Sequence, residues 1–502
     1  MPPDPESISD AIARTRARRV FIAAAIVCLT VGTVAALVYA RRGLTLSHYD
    51  ARAHLGVARR IFDSLTPGWQ QVGAIWLPLP HLLNALPIQI DWVYRTGAVA
   101  VALSIGALGL GLASWARWIF GVTRSTTAAI AAPLLILLNP GVLYLQSTPM
   151  TEPLLFGLSL LAVVRMAAWL RDPSPREARW LGWTLFALTW TRYEGWFIVC
   201  ALLAFAAPRR WWRPWWTIAR YPAVAVGAFL CLGRGSNDAW FVFSGFFQPQ
   251  PETLHQPLAA LAQVMDDGWL MTGPVIVIAA LAGAVVCLVR AFRDRADAVP
   301  LALIAALGLP LFAYFQGHPT QVRFAVVMAV ACGALAALSV MALPRAVRGL
   351  AMVGLVAAMA LARPPMDTNA PLMKEARWEL PFEAGRQAVT AYLAIEYDGG
   401  PILTSMYAFP DYMHESAAAG VHLRNFVHEG NELFWKAALA SPKSFVRWVI
   451  VSIDPARPDT LARRLAKDPG FLAGFSRVAE GGGIALYGRD PVVVLATAPG
   501  VN

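Results

Sequence analysis

Two stretches decide how this chain is read: Ser47-His48-Tyr49-Asp50, just past the first hydrophobic run, and Trp76-Leu77-Pro78-Leu79-Pro80-His81, shortly before the second. The run before them, Val20–Ala40, is long enough to span a bilayer, and the next begins only near Thr96. The loop between, 41–95, is too long for a simple connector and too rich in aromatic and aliphatic residues for disorder. Among membrane-spanning helices, such a loop points to chemistry at the membrane surface.

Composition agrees. Of 502 residues, 57% are hydrophobic and only 15% charged, with 19 tryptophans. The mean hydropathy is +0.52. A water-soluble fold cannot bury that much apolar surface, so the bilayer is its solvent. Further runs recur at Thr96–Trp115, Ala128–Leu145, Pro153–Leu170, Trp180–Thr191, Trp196–Ala207, Ile218–Leu232, Trp269–Val289, Val299–Phe315, Ala325–Leu343 and Leu350–Ala362. They predict about eleven helices, two of them short. The fold class is an all-α polytopic membrane domain over 1–362, followed by a smaller α/β domain over 363–502.

The net charge of +11 does not mark a nucleic-acid binder, because of where the charge lies. Arginines cluster at Arg14–Arg19, Arg117 and Arg124, Arg171–Arg179, Arg209–Arg213, Arg290–Arg295, and Arg345 and Arg348. Every second connection is thus Arg-rich, as cytoplasmic loops are. That pattern puts the N-terminus inside. The first loop, Thr148–Glu152, Arg192–Glu194, Arg234–Asp267, Gly317–Arg323 and everything past Arg363 fall outside. Arg41, Arg42, Arg52, Arg59 and Arg60 break the pattern, which hints at anionic headgroups or phosphates near the first outer loop. The first run is too long for a signal peptide and no small-residue cleavage site follows it, so it reads as an anchor. All five cysteines lie in hydrophobic runs and none has metal-site spacing.

Past Arg363 the character changes, and every lysine of the chain is found there. Pro401–Thr404 and Trp448–Val451 read as short buried strands and Thr460–Lys467 as a helix. Phe475–Ala479 and Ile484–Tyr487 flank Gly481-Gly482-Gly483, a hairpin signal.

In the first loop, Leu55, Ala58, Phe62 and Leu65 follow Asp50 at helical spacing, which predicts an amphipathic helix lying flat on the membrane. Asp50 has two readings. It is either a first-turn acid behind a Ser47 cap, or a general base at the lip of the membrane. Glu152, after Thr151, has the same capping reading. Thr191-Arg192-Tyr193-Glu194-Gly195 joins two short runs, so an ionisable pair sits recessed in the bilayer. Arg192 and Glu194 either neutralise each other or contact a sugar or phosphate. The Trp76–His81 stretch, stiffened by proline, reads as an extended, membrane-lying wall of a lipid groove.

An inside N-terminus, one helix, then a large outer loop that opens with Tyr49-Asp50 and continues as an amphipathic helix resembles the GT-C superfamily of membrane glycosyltransferases. Protein O-mannosyltransferases (glycosyltransferase family 39) and the aminoarabinose transferases of lipid A belong to it. Those enzymes carry an Asp-Glu pair at this point, and the resemblance makes Asp50 the catalytic base. Ala51 stands where the glutamate would be, so that acid's role is lost or has passed to another residue. The resemblance also implies that His54, one turn on, orients Asp50, and that Glu152 lies in the acidic second outer loop. Arg192, Tyr193 and Glu194 would meet substrate. Gly317-His318-Pro319-Thr320-Gln321-Val322-Arg323-Phe324 resembles the arginine-aromatic motif before a late helix, with His318 near the substrate and Arg323 on a lipid phosphate.

The implied activity is inverting transfer of a hexose or pentose from a polyprenyl-phosphate sugar to a lipid, glycan or protein acceptor. It would take place on the outer face of a bacterial cytoplasmic membrane. No cofactor or metal is called for, no nucleic acid is a partner, and membrane lipids surround the protein. The rival class is a transporter or flippase built on the broken helices around Arg192 and Glu194. A non-catalytic scaffold with a partner-binding outer domain is a third possibility.

Overall fold

Long apolar runs without charge become helices because only a helix satisfies its own backbone in lipid. In the computed structural model, residues 5–73, 75–207, 212–237 and 249–489 are described. The expected loop arginines Arg209 and Arg210, and 238–248 of the expected outer segment Arg234–Asp267, lie outside the described residues. Among the described residues, eight helices are long and apolar enough to cross a membrane: Ile12–Arg41, Ala98–Thr123, Glu152–Arg171, Pro214–Arg234, Pro274–Ala291, Arg295–Phe315, Val322–Ala342 and Arg345–Ala362. Thr126–Leu137 and Glu194–Phe205 are shorter apolar helices. Small residues let the helices close up. Gly111 and Gly157 face each other so tightly that a Cβ on either would strike main chain.

The chain forms two units. One comprises Met1–Ala58 and Val72–Trp378, the other Arg59–Gln71 and Glu379–Asn502. In the first, the exit of the first helix is locked. Tyr144 Oη donates to the Leu44 carbonyl at 3.1 Å and lies 3.1 Å from Ser47 Oγ, which reaches the same carbonyl at 3.0 Å. Tyr39 packs edge-on against Tyr144 with ring centroids 5.4 Å apart. At the start of the next helix, Tyr49–Arg60, it is the neighbouring His48 whose side chain accepts a first-turn N–H, that of Asp50. That helix does not lie on a surface: from Asp50 to Ala58 only Gly56 is less than fully buried. The Trp76–His81 stretch is not extended either. A helix, Leu79–Ala85, starts inside it with Pro80 in its first turn, where a missing N–H costs nothing.

The second unit holds a five-stranded sheet in the order β2-β1-β3-β5-β4. The strands are β1 Ile402–Leu403, β2 Phe426–Val427, β3 Trp448–Ser452, β4 Phe475–Gly481 and β5 Ile484–Arg489. β2, β1 and β3 run parallel, while β5 pairs antiparallel with both β3 and β4. Gly482 and Gly483 turn the β4–β5 hairpin with φ of +57° and +80°, the double positive φ of a tight turn. Leu403, Val427, Trp435, Val449, Leu461 and Phe471 form its core. Arg59–Gln71 belongs to this unit by specific bonds. Asp63 pairs with Arg59 at 2.9 Å and accepts the backbone N–H of Leu423 and of Arg424, both at 3.3 Å. Gln71 donates to the Gly430 carbonyl at 3.0 Å. Arg59 and Arg60, expected to await anionic headgroups, have partners inside this unit; Arg60 Nε donates to the Gln71 carbonyl at 2.7 Å.

Candidate active site

Three acids sit at helix starts in the first unit. Asp50 is the second residue of its helix, and Glu152 and Glu194 are the first of theirs. A carboxylate there is favoured by the unsatisfied N–H groups of the first turn. Arg323 lies in the single 3₁₀ turn Val322–Ala325 that opens the helix Val326–Ser339. A cation at that end opposes the helix dipole and needs a partner. It finds Asp50: Arg323 Nη2 forms an ion pair with Asp50 Oδ2. Arg323 Nε donates to Gln321 Oε1 at 3.1 Å, and buried Nη1 has no hydrogen-bond partner among the described residues.

Arg192 is held differently. It pairs with Glu194 at 2.8 Å and with Glu152 at 3.1 Å, and Nη1 donates to Thr151 Oγ at 2.9 Å. Thr151 makes no side-chain cap. Burial pulls the Arg192 guanidinium down, but Glu152 and Glu194 more than offset this and leave it above its ordinary value, against Arg323 nearby. Tyr193 donates its hydroxyl to the Ile75 carbonyl at 3.0 Å.

Two site residues escaped the sequence reading. His48 Nδ1 accepts the backbone N–H of Asp50 at 3.2 Å. Nε2 therefore carries the proton and donates to Glu375 Oε1 at 3.3 Å. Glu375 is buried, on the short helix Pro371–Glu375. No local signal singles it out, since its partner lies 327 positions away. His54 does not bond to Asp50. Its ring packs on Trp76 at 4.2 Å and near His81 at 5.3 Å, and buried Nδ1 has no hydrogen-bond partner among the described residues. Burial first, then His81, Arg192, Arg323 and His48, push His54 well below the usual imidazole range, so it is neutral. His318 lies in the loop before Arg323, where Nδ1 faces the Pro319 carbonyl at 2.8 Å and the ring stands edge-on to Phe324 at 5.4 Å. Burial lowers it too.

The structure thus brings Asp50 and Arg323 together, and joins Glu152, Arg192 and Glu194. A small apolar void of about 10 Å³ lies one to two turns further along the helices that begin at Glu152, Glu194 and Arg323. It is lined by Leu155, Phe156, Ser159, Ile198, Val327 and Val330 among others. Among the described residues, no group of three His, Cys, Asp or Glu side chains is placed to hold a metal ion.

No family model matches the chain, and no curated protein does. Solved structures do match. ArnT from Cupriavidus metallidurans bound to undecaprenyl phosphate is 14% identical with a TM-score of 0.55, over 92% of this chain and 97% of that one. The same protein in the apo state is 15% identical with a TM-score of 0.55, over 91% and 97%. The fold is that of ArnT. With that fold, the chain is a polytopic membrane protein with a small C-terminal sheet. The likeness to ArnT runs through both units, since it spans nearly the whole of each chain.

Proposed function

We propose that the chain is an inverting glycosyltransferase that takes its sugar from a polyprenyl-phosphate donor. The observation that carries this reading is the Asp50–Arg323 pair: a buried carboxylate held by a guanidinium whose Nη1 still lacks an acceptor. An unpartnered buried donor is costly, and a phosphate oxygen would satisfy it. The ArnT structure with undecaprenyl phosphate lends support through the shared fold.

The steps follow from the residues. The donor's phosphate binds Arg323 Nη1 and then competes with Asp50 for Nη2. Asp50, released, accepts the proton of an acceptor hydroxyl. The hydroxyl oxygen bonds to the anomeric carbon from the face opposite the phosphate, and the bond from that carbon to the phosphate oxygen breaks. Its electron pair stays on the lipid phosphate, whose new charge Arg323 stabilises. Configuration at the anomeric carbon inverts. The pairing also acts as a catch: without donor, Asp50 stays engaged. His54, Glu152, Arg192, Tyr193, Glu194 and His318 form the surrounding wall in this reading.

The sugar is a hexose or pentose and the acceptor a lipid, glycan or protein on the outer face of a bacterial cytoplasmic membrane, with the N-terminus inside and the C-terminal domain outside. The test is mass spectrometry of lipids, glycans and envelope proteins from cells with the parent, with Asp50→Asn, and without the protein. A sugar present only with the parent is the expected result. The same product with Asp50→Asn at equal protein level would overturn the assignment.

A further inference from the structure

A guanidinium that changes partners needs one part held still. Arg323 Nε is that part, because it donates to Gln321 Oε1 at 3.1 Å while the two terminal nitrogens face Asp50 and an open acceptor position. Gln321 is itself gripped. Its backbone N–H donates to Tyr314 Oη at 3.4 Å, and its carbonyl lies 3.2 Å from the same hydroxyl. The Tyr314 hydroxyl has one proton, and the nearer, charged acceptor is Asp267 Oδ2 at 2.9 Å. Asp267 is buried on the helix Pro257–Thr272, and its other oxygen accepts from Gln263 Nε2 at 2.9 Å. The Tyr314 ring is packed among Ala260, Val264, Leu311 and Phe324, so the hydroxyl has little freedom to turn elsewhere.

We infer that Asp267 is a positioning residue for Arg323, acting through Tyr314 and Gln321 to hold Nε while the terminal nitrogens pass from Asp50 to a phosphate. The inference rests on the reading of Arg323 as the phosphate ligand. The polarity runs one way along the relay: Gln321 N–H to Tyr314 oxygen, Tyr314 O–H to Asp267. The Gln321 backbone is thereby fixed, and with it the side-chain oxygen that takes Arg323.

The test compares binding of undecaprenyl phosphate with binding of undecaprenol by the purified full chain in phosphatidylcholine nanodiscs. The ratio of the two affinities isolates the phosphate contact from the tail. Tyr314→Phe keeps the ring and its packing, and is expected to cut the ratio about tenfold, the worth of one good hydrogen bond. Asp267→Leu should do the same. Asp267→Asn should restore most of the ratio, because the amide oxygen still accepts the Tyr314 proton. Arg323→Ala should abolish the preference for phosphate. A general packing role would weaken both lipids together and leave the ratio alone. Tyr314→Phe with the parent's ratio, beside Arg323→Ala without it, would overturn the inference alone. If Arg323→Ala also keeps the parent's ratio, the phosphate role of Arg323 falls and the inference falls with it.

Discussion

Two arginines of the same unit, one buried and one largely so, and both facing carboxylates, are held in opposite ways. Arg192 meets two carboxylates and a hydroxyl, and its charge is more than matched. Arg323 meets one carboxylate and one amide oxygen, and keeps a buried nitrogen without an acceptor. A saturated guanidinium is a brace, because displacing any partner leaves a charge stranded in a poorly solvated place. An unsaturated one can take a further acceptor. On the proposed function, the same residue type at similar depth braces the fold in one place and binds in the other, and the difference lies in the number of partners.

The comparison breaks most sharply at the partner of the unsaturated arginine. Asp50→Asn keeps size and leaves an oxygen for Arg323 but cannot take a proton. Turnover in nanodiscs is expected to fall about 10³-fold with lipid-phosphate binding retained. Turnover near that of the parent would make Asp50 only a counter-ion. Next comes Arg323→Ala, expected to raise the donor KM about 100-fold, and Arg323→Lys about tenfold, since lysine keeps the charge but loses the fork. Steady-state kinetics with varied donor reads this directly.

Arg192→Ala tests the other side. It strands two buried carboxylates, so about 3–5 kcal/mol of stability should be lost, visible as a large drop in melting temperature. The surviving folded fraction should keep a donor KM close to that of the parent. A KM effect as large as that of Arg323→Ala at unchanged melting temperature would reverse the two roles. The smallest effect concerns metal. Glu152 faces Arg192 at 3.1 Å and Asp50 faces Arg323, so each acid already has a cation. Turnover should be unchanged by EDTA. Loss on chelation with return on adding Mg²⁺ or Mn²⁺ would make Glu152 a metal ligand.

What could be read in advance divides along physical lines. Most hydrophobic runs, the Gly481–Gly483 hairpin and the helix Thr460–Lys467 follow from composition and local turn chemistry and appear where expected, but Ala128–Leu145 is broken at Pro133 and Pro140, and Trp269–Val289 is split at Gly273-Pro274 between two helices. β2, of two residues, is too short to show a period. The cap reading of Thr151 failed because a tertiary partner, Arg192, takes its hydroxyl, and at the helix Tyr49–Arg60 the first-turn N–H of Asp50 goes to His48. The enclosed helix Tyr49–Arg60 looked amphipathic because its charged residues are buried with partners, which pattern alone cannot distinguish from exposure. Prolines in Trp76–His81 mark a helix start as readily as an extended segment. Asp50, Glu152, Arg192, Glu194 and Arg323 stood out individually as polar residues among apolar runs. Which acid meets which arginine is a matter of packing, as is the link from His48 to Glu375.

The α/β unit is not a contiguous length of chain. Thirteen residues, Arg59–Gln71, reach it from the loop that also carries Asp50, and Asp63 among them caps two main-chain N–H groups at Leu423 and Arg424. A fragment beginning at Glu379 would therefore be missing a piece of its own interior and would expose those donors. Anyone wishing to study it separately should supply the 59–71 peptide, either in trans or spliced ahead of Glu379. Restored folding on adding that peptide would turn the divided unit into a two-part reporter.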